Sequence, residues 1–180
     1  MDEEKNRKHL LDLLEKIPSG MPAGWEKETF AVGGLMYLGF SNLQTEKLVV
    51  ISSQGQSVID CRTWEKVWCT ECYDEQDLTA RAGPLGNEAI PIAGEGGGGL
   101  RRSAPSGDGL DMAAPFWPKE QIVFMPRSVS WYQHPEMCTM IFDDYEPKAF
   151  GFSRCGNYMA VGTSSEVDIF RRTGEWTYEL

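Results

Sequence analysis

Two stretches of this chain follow one pattern, and that pattern constrains the fold more than any other feature of the sequence. Leu38 to Lys66 reads LGFSNLQTEKLVVISSQGQSVIDCRTWEK, and Ala149 to Trp176 reads AFGFSRCGNYMAVGTSSEVDIFRRTGEW. Gly39-Phe40-Ser41 answers to Gly151-Phe152-Ser153, and Thr63-Trp64-Glu65 to Thr173-Gly174-Glu175. An alignment that pairs Lys47 with Asn157 runs without a break to Lys66 and Trp176, so only the loop after the serine differs, by two residues. In each stretch an apolar strand ends at Gly-Phe-Ser and a polar turn follows. A continuous apolar run comes next, Leu48 to Ile51 or Tyr158 to Val161. Such a run between turn signals suits a strand covered on both faces. A small-residue turn leads to a third strand, with Val58 and Ile59 in one stretch and Val167, Ile169 and Phe170 in the other. Short strands with a turn every few residues predict antiparallel meanders.

The order phenylalanine-serine, turn, apolar strand, small-residue turn, strand resembles a blade of the tryptophan-aspartate kind of β-propeller. The resemblance spans 38–68 and 149–178. Neither stretch carries the Gly-His start or the Trp-Asp close; Asp60-Cys61 and Phe170-Arg171 stand there. A closed ring needs at least four blades of about forty residues. In 180 residues with a helical start, the expectation is a mainly β single domain, an incomplete propeller-like or sandwich assembly of sheets, with one N-terminal amphipathic helix.

That helix is placed at 1–17. Leu10, Leu13, Leu14 and Ile17 fall on one face, acidic residues occupy its first turn, and Pro18 with Gly20 ends it. Glu28 to Phe40 reads as a strand pair with Gly33-Gly34 as bulge or turn, Glu71 to Ala82 as a short helix, and Glu88 to Ala93 as a strand. Gly94 to Gly109 holds seven glycines with Pro105 and little apolar content, which predicts a long exposed loop. Gln121 to Met125 and Met137 to Phe142 read as strands.

Seventeen basic against 27 acidic residues leave a formal charge of −10, with no basic stripe of the kind a nucleic acid requires. No twenty-residue apolar run predicts a membrane span. The acidic start MDEEKNRKHLL lacks the apolar core of a signal peptide. Five cysteines without framework spacing predict free thiols in a reducing compartment, hence the cytoplasm.

Gly94-Glu95-Gly96-Gly97-Gly98-Gly99 formally satisfies the dinucleotide fingerprint. That fingerprint needs a helix opening on the glycines, and LRRSAPSGDG follows instead. Leu100 occupies the lysine position of a phosphate loop. Gly96, Gly97 and Gly98 beside Arg101 and Arg102 remain an alternative anion site, a nest of backbone amides serving an enzyme or a small-anion binder. Cys69 and Cys72 with His134 and Cys138 have the count and spacing of a zinc set. Cysteine at a strand end is more often a small hydrophobe, so neither metal nor cofactor is expected. No Gly-x-Ser-x-Gly elbow exists.

The expected binding face is aromatic and acidic: Trp131, Tyr132, His134, Glu136, Asp143, Asp144 and Tyr145. Loop aromatics anchor interfaces, and the net charge favours a basic partner. Equally, Trp117 and Trp131 can cap the core beneath those loops. The expectation is a non-catalytic module that binds another protein, not nucleic acid or membrane. Its size, acidity and lack of catalytic motifs resemble the uncharacterised small proteins of bacteria, some of which are toxin-neutralising immunity proteins.

Overall fold

A computed structural model describes residues 2–174. Helix α1 spans Glu3–Leu14, and strands β1 to β5 are Trp25–Ala31, Leu35–Phe40, Lys47–Ser52, Gly55–Asp60 and Lys66–Cys69. Four short strands follow, β6 Tyr73–Asp74, β7 Thr79–Ala80, β8 Ile90–Pro91 and β9 Ala93–Gly94. Next are β10 Gly109–Phe116, β11 Lys119–Met125 and β12 Thr139–Tyr145. The last are β13 Ala149–Phe152, β14 Tyr158–Gly162 and β15 Glu166–Arg172. The fold is mainly β, with four antiparallel sheets and the one N-terminal α-helix among the described residues. Glu175 and Trp176, which close the second stretch in the sequence alignment, lie outside the described residues.

The chain divides into two compact units. One comprises Met1–Ala23 with Ser106–Glu146; the other comprises Gly24–Pro105 with Pro147–Leu180.

In the larger unit the middle layer is the sheet β5-β4-β3-β2-β9. Its strands alternate between two apolar clusters, as period-two side chains must. Leu48 and Val50 join Ala160, Val167 and Ile169 of the sheet β1-β15-β14-β13. Val49 and Ile51 join Ala80, Ala82 and Ile90 around the small sheet β6-β7-β8. Cover on both faces explains the unbroken apolar runs. Strand β1 completes the C-terminal sheet by pairing with β15 from Trp25↔Arg172 to Ala31↔Glu166.

The two patterned stretches each form a three-stranded meander, but not in the register of the sequence alignment. Phe40 pairs with Leu48 and Leu48 with Ile59, whereas Phe152 pairs with Met159 and Met159 with Phe170. Leu48 therefore answers to Met159, one residue further along than the alignment's Tyr158. A one-residue slip exchanges the faces of a strand, so hydrogen bonding and burial decide the equivalence.

Two local expectations are corrected. Glu71 to Ala82 is not helical: the Asp74 carboxylate accepts the amides of Gln76 at 2.8 Å and Asp77 at 3.0 Å. This turn competes with a helix and sets the hairpin β6-β7. The glycine-rich segment is not a free loop. Gly94 pairs with Tyr37 in β9, Arg101 bridges to Phe152, and Ala104 and Asp108 are buried.

In the smaller unit, Asp2 caps α1 by accepting the Glu4 amide at 3.4 Å. The helix ends at Leu14, and the amides of Lys16 and Ile17 turn to the carbonyls of Leu13 and Leu14 in a tighter last turn. Leu13, Leu14 and Ile17 pack on Ala113, Val123 and Met140 of the sheet β10-β11-β12 and on Trp131 from the segment between β11 and β12. The chain after the helix is tied to β12, where the Met140 amide donates to the Pro18 carbonyl at 2.8 Å.

Candidate functional site

The residues expected to form one binding face fall into two groups at opposite ends of the sheet β10-β11-β12. Strand β12 begins at Thr139, paired with Phe124, and ends at Tyr145, paired with Lys119. At about 3.3 Å per residue its two ends stand roughly 20 Å apart. Trp131, Tyr132, His134 and Glu136 precede the first end; Asp143, Asp144 and Tyr145 form the second.

At the first end Trp131 is fully buried (0 %) in the core with Leu13, Leu14 and Val123. A partner protein cannot reach it as an interface anchor, so that part of the expected site is corrected. Its indole N–H donates to Asp111 Oδ2 at 2.8 Å. Tyr132 is exposed and stacks on Trp131, ring centroids 4.0 Å apart. Partial burial raises the Tyr132 phenol above its ordinary range, and the Asp111 charge adds to this. Tyr132 and Asp111 line a shallow, mostly apolar cavity of about 350 Å³ with Met125 and Val129. His134 and Glu136 are exposed, 3.6 Å apart.

The second end carries more exposed aromatic surface. Phe116 pairs with Lys119 across the β10-β11 turn, and Lys119 pairs with Tyr145. These three residues form one row and share one face of the sheet. Trp117 occupies the turn beside them. Phe116 is 58 % exposed, Trp117 76 % and Tyr145 59 %. On the same face as Tyr145, Asp143 lies 3.2 Å from the Lys119 ammonium. The opposite face brings Glu120 directly against Asp144, with Glu146 two residues on. Partial burial pushes the Glu120 carboxyl above its usual range, and the charge of Glu146 raises it further. Among the described residues no lysine or arginine pairs with Glu120, Asp144 or Glu146. The expected site omitted Phe116 and Trp117. Flanked by Pro115 and Pro118, they form the tip of the β10-β11 hairpin. An aromatic pair between two strand runs was the signal available.

The glycine-rich segment is folded back on the chain. Gly94 and Gly97 exchange both backbone hydrogen bonds, at 2.9 and 3.0 Å. The Glu95 amide donates to the Met36 carbonyl at 3.0 Å, and the Gly96 amide to the Tyr37 hydroxyl. The Gly96 and Gly97 amides are thus committed to partners within the chain. Gly98 serves close approach instead: a Cβ there would stand 2.6 Å from the Ile92 carbonyl. The Arg102 guanidinium lies over the Phe150 ring, 3.8 Å from its centroid. Arg101 is exposed.

Cys69 and Cys72 belong to the larger unit, His134 and Cys138 to the smaller. Buried Cys138 directs its Sγ to the His134 carbonyl at 3.6 Å. No group of three or more metal-ligating side chains comes together among the described residues. Likewise no described helix is long and apolar enough to cross a membrane.

No protein-family model, no curated protein and no solved structure matches this chain. The likeness to propeller blades therefore gains no support from known folds.

Proposed function

We propose that this protein is a non-catalytic binding module that captures a basic partner protein on the hairpin-tip end of β10-β11-β12. One observation carries the reading: Phe116, Trp117 and Tyr145 stand exposed at the same end of the sheet as Glu120, Asp144 and Glu146, which no lysine or arginine among the described residues neutralises. Exposed aromatic anchors supply affinity when a partner desolvates them. Opposed like charges such as Glu120 and Asp144 raise the energy of the free sheet, and a basic partner relieves it. The formal charge of −10 steers such a partner into encounter. The analogy to toxin-neutralising immunity proteins of bacteria fits this surface chemistry, and the five free cysteines fit a cytoplasmic setting.

The test is amide chemical-shift mapping with a basic protein captured from an extract of the source organism. The expected perturbations fall on Phe116 to Gln121 and Asp143 to Glu146. Perturbations confined to Tyr132 and the cavity at the other end of the sheet would move the site there and contradict the proposal.

A further inference from the structure

The larger unit holds a pocket of about 200 Å³ where β2 and β13 end. Its walls include Leu100 with Phe40 and Phe152, the phenylalanines of the two Gly-Phe-Ser turns. Two residues after each phenylalanine the chain contributes again, Asn42 from one turn and Arg154 from the other. Arg101 completes the polar part. Phe40 and Phe152 are buried while both arginines are exposed, so the pocket has an aromatic floor and a cationic rim.

These two arginines differ from every other described cation of this unit. Lys27, Lys47, Arg62, Lys148 and Arg171 pair with carboxylates. Lys66, Arg102 and Arg172 lie over aromatic rings, and Arg81 donates to the Asn87 carbonyl. Among the described residues Arg101 and Arg154 have no such partner, although acidic residues outnumber basic ones. At the turn that carries Asn42, Glu88 is occupied: it accepts the Ser41 hydroxyl at 2.6 Å and the Asn42 amide at 2.7 Å.

The rim is also held in place. The Phe152 amide donates to the Arg101 carbonyl at 2.7 Å. This approach requires Gly151, because a Cβ there would stand 2.6 Å from that carbonyl. On the other side Gly39 plays the same part, its Cβ position 2.5 Å from the Pro91 carbonyl. Arg154 sits in a turn fastened by the Ser153 amide on the Tyr158 carbonyl at 2.9 Å.

We infer that this pocket binds a small organic oxyanion, its carboxylate or phosphate between Arg101 and Arg154 and its apolar body against Phe40 and Phe152. Guanidinium groups present planar pairs of donors matched to such oxygens, and two of them on one pocket favour an anion between them. The volume is below the range of about 300–1,000 Å³ usual for drug-sized ligands, which limits the guest to roughly ten heavy atoms. The inference is independent of the protein-binding face, which uses other residues in the other unit.

The test is titration of the isotopically labelled full chain with benzoate, phenyl phosphate, inorganic phosphate and neutral benzamide, followed by amide shifts. Benzoate or phenyl phosphate should perturb Asn42, Arg101, Phe152 and Arg154 saturably at millimolar concentration, inorganic phosphate more weakly, and benzamide not at all. The R101Q/R154Q double variant should keep its melting temperature, since both side chains are exposed and unpaired, and lose affinity by about tenfold or more. Phe116 and Trp117 should not respond, and Trp117→Ala should bind these probes as wild type does. The inference is overturned if neither organic anion perturbs those amides, if benzamide binds as tightly as benzoate, or if the double variant binds unchanged.

Discussion

The indole N–H of Trp131 donates to Asp111 Oδ2 at 2.8 Å, from a side chain that exposes none of its surface. The tryptophan thus belongs to the core that α1 covers. Trp131→Ala removes a large ring and leaves a cavity, so it should cost about 3–5 kcal/mol of stability. Trp131→Phe fills most of the space and strands only the carboxylate, so it should cost less. Urea unfolding of the two variants checks the order; equal, small losses would contradict the placement.

Gly39 and Gly151 owe their presence to crossing backbone. A Cβ at either would press on a neighbouring carbonyl, Pro91 or Arg101. Gly151→Ala should therefore destabilise by about 1–3 kcal/mol, the usual cost of overpacking. Gly83→Ala, where a Cβ meets nothing within 4 Å, should be near neutral. Thermal melts of both variants make the comparison.

Acid should weaken the larger unit through Asp60. Burial pushes its carboxyl up, but the Lys47 ammonium at 2.8 Å and the amides of Arg62 and Thr63 outweigh burial and hold it below its ordinary value. A depressed folded-state pKa gives stability that is present above the unfolded value near 3.9 and lost as pH falls through the folded one. Asp60→Asn should remove part of the acid dependence and lower stability at pH 7. A variant whose stability falls with acid as steeply as wild type below pH 4 would contradict this.

Glu120 works in the other direction. Burial and the charge of Glu146 raise its folded-state pKa. The linked stability is present below the unfolded value near 4.3 and lost as pH rises through the folded one, so the ionised form is unfavourable at pH 7. Glu120→Gln should raise the melting temperature at pH 7 and leave it unchanged at pH 3.5. A lower melting temperature at pH 7 would show that this carboxylate stabilises the sheet.

The sequence made the strands legible because period and turn chemistry are local. Leu48 to Ile51 already reads as a doubly covered strand, and the acidic first turn with the leucine stripe reads as an amphipathic helix. Register was not legible. Whether Leu48 answers to Tyr158 or Met159 depends on hydrogen bonds across the sheet, which residue identity does not encode. Asp74 looked helical because the Asx turn that breaks the helix is decided by one side chain. Among the candidate site residues, Tyr132, His134, Glu136, Asp143, Asp144 and Tyr145 are exposed or nearly so, but only Asp143 to Tyr145 lie with Phe116 and Trp117. Sequence proximity merged two ends of one sheet, and strand length separates them. Trp131 and Trp117 occupy similar loop contexts, and only the docking of α1 decides which is buried.

The central claim is that the exposed aromatics at the hairpin tip carry binding to a basic partner. Its most direct test is the affinity of Trp117→Ala for that partner, measured by calorimetry beside wild type at two salt concentrations. Trp117 is 76 % exposed, so its loss should leave the melting temperature within a degree or two. The account predicts a loss of about 2 kcal/mol in binding, roughly thirtyfold, with the wild-type association rate falling as salt rises. Trp117→Ala that binds the partner as tightly as wild type, at either salt concentration, would contradict it.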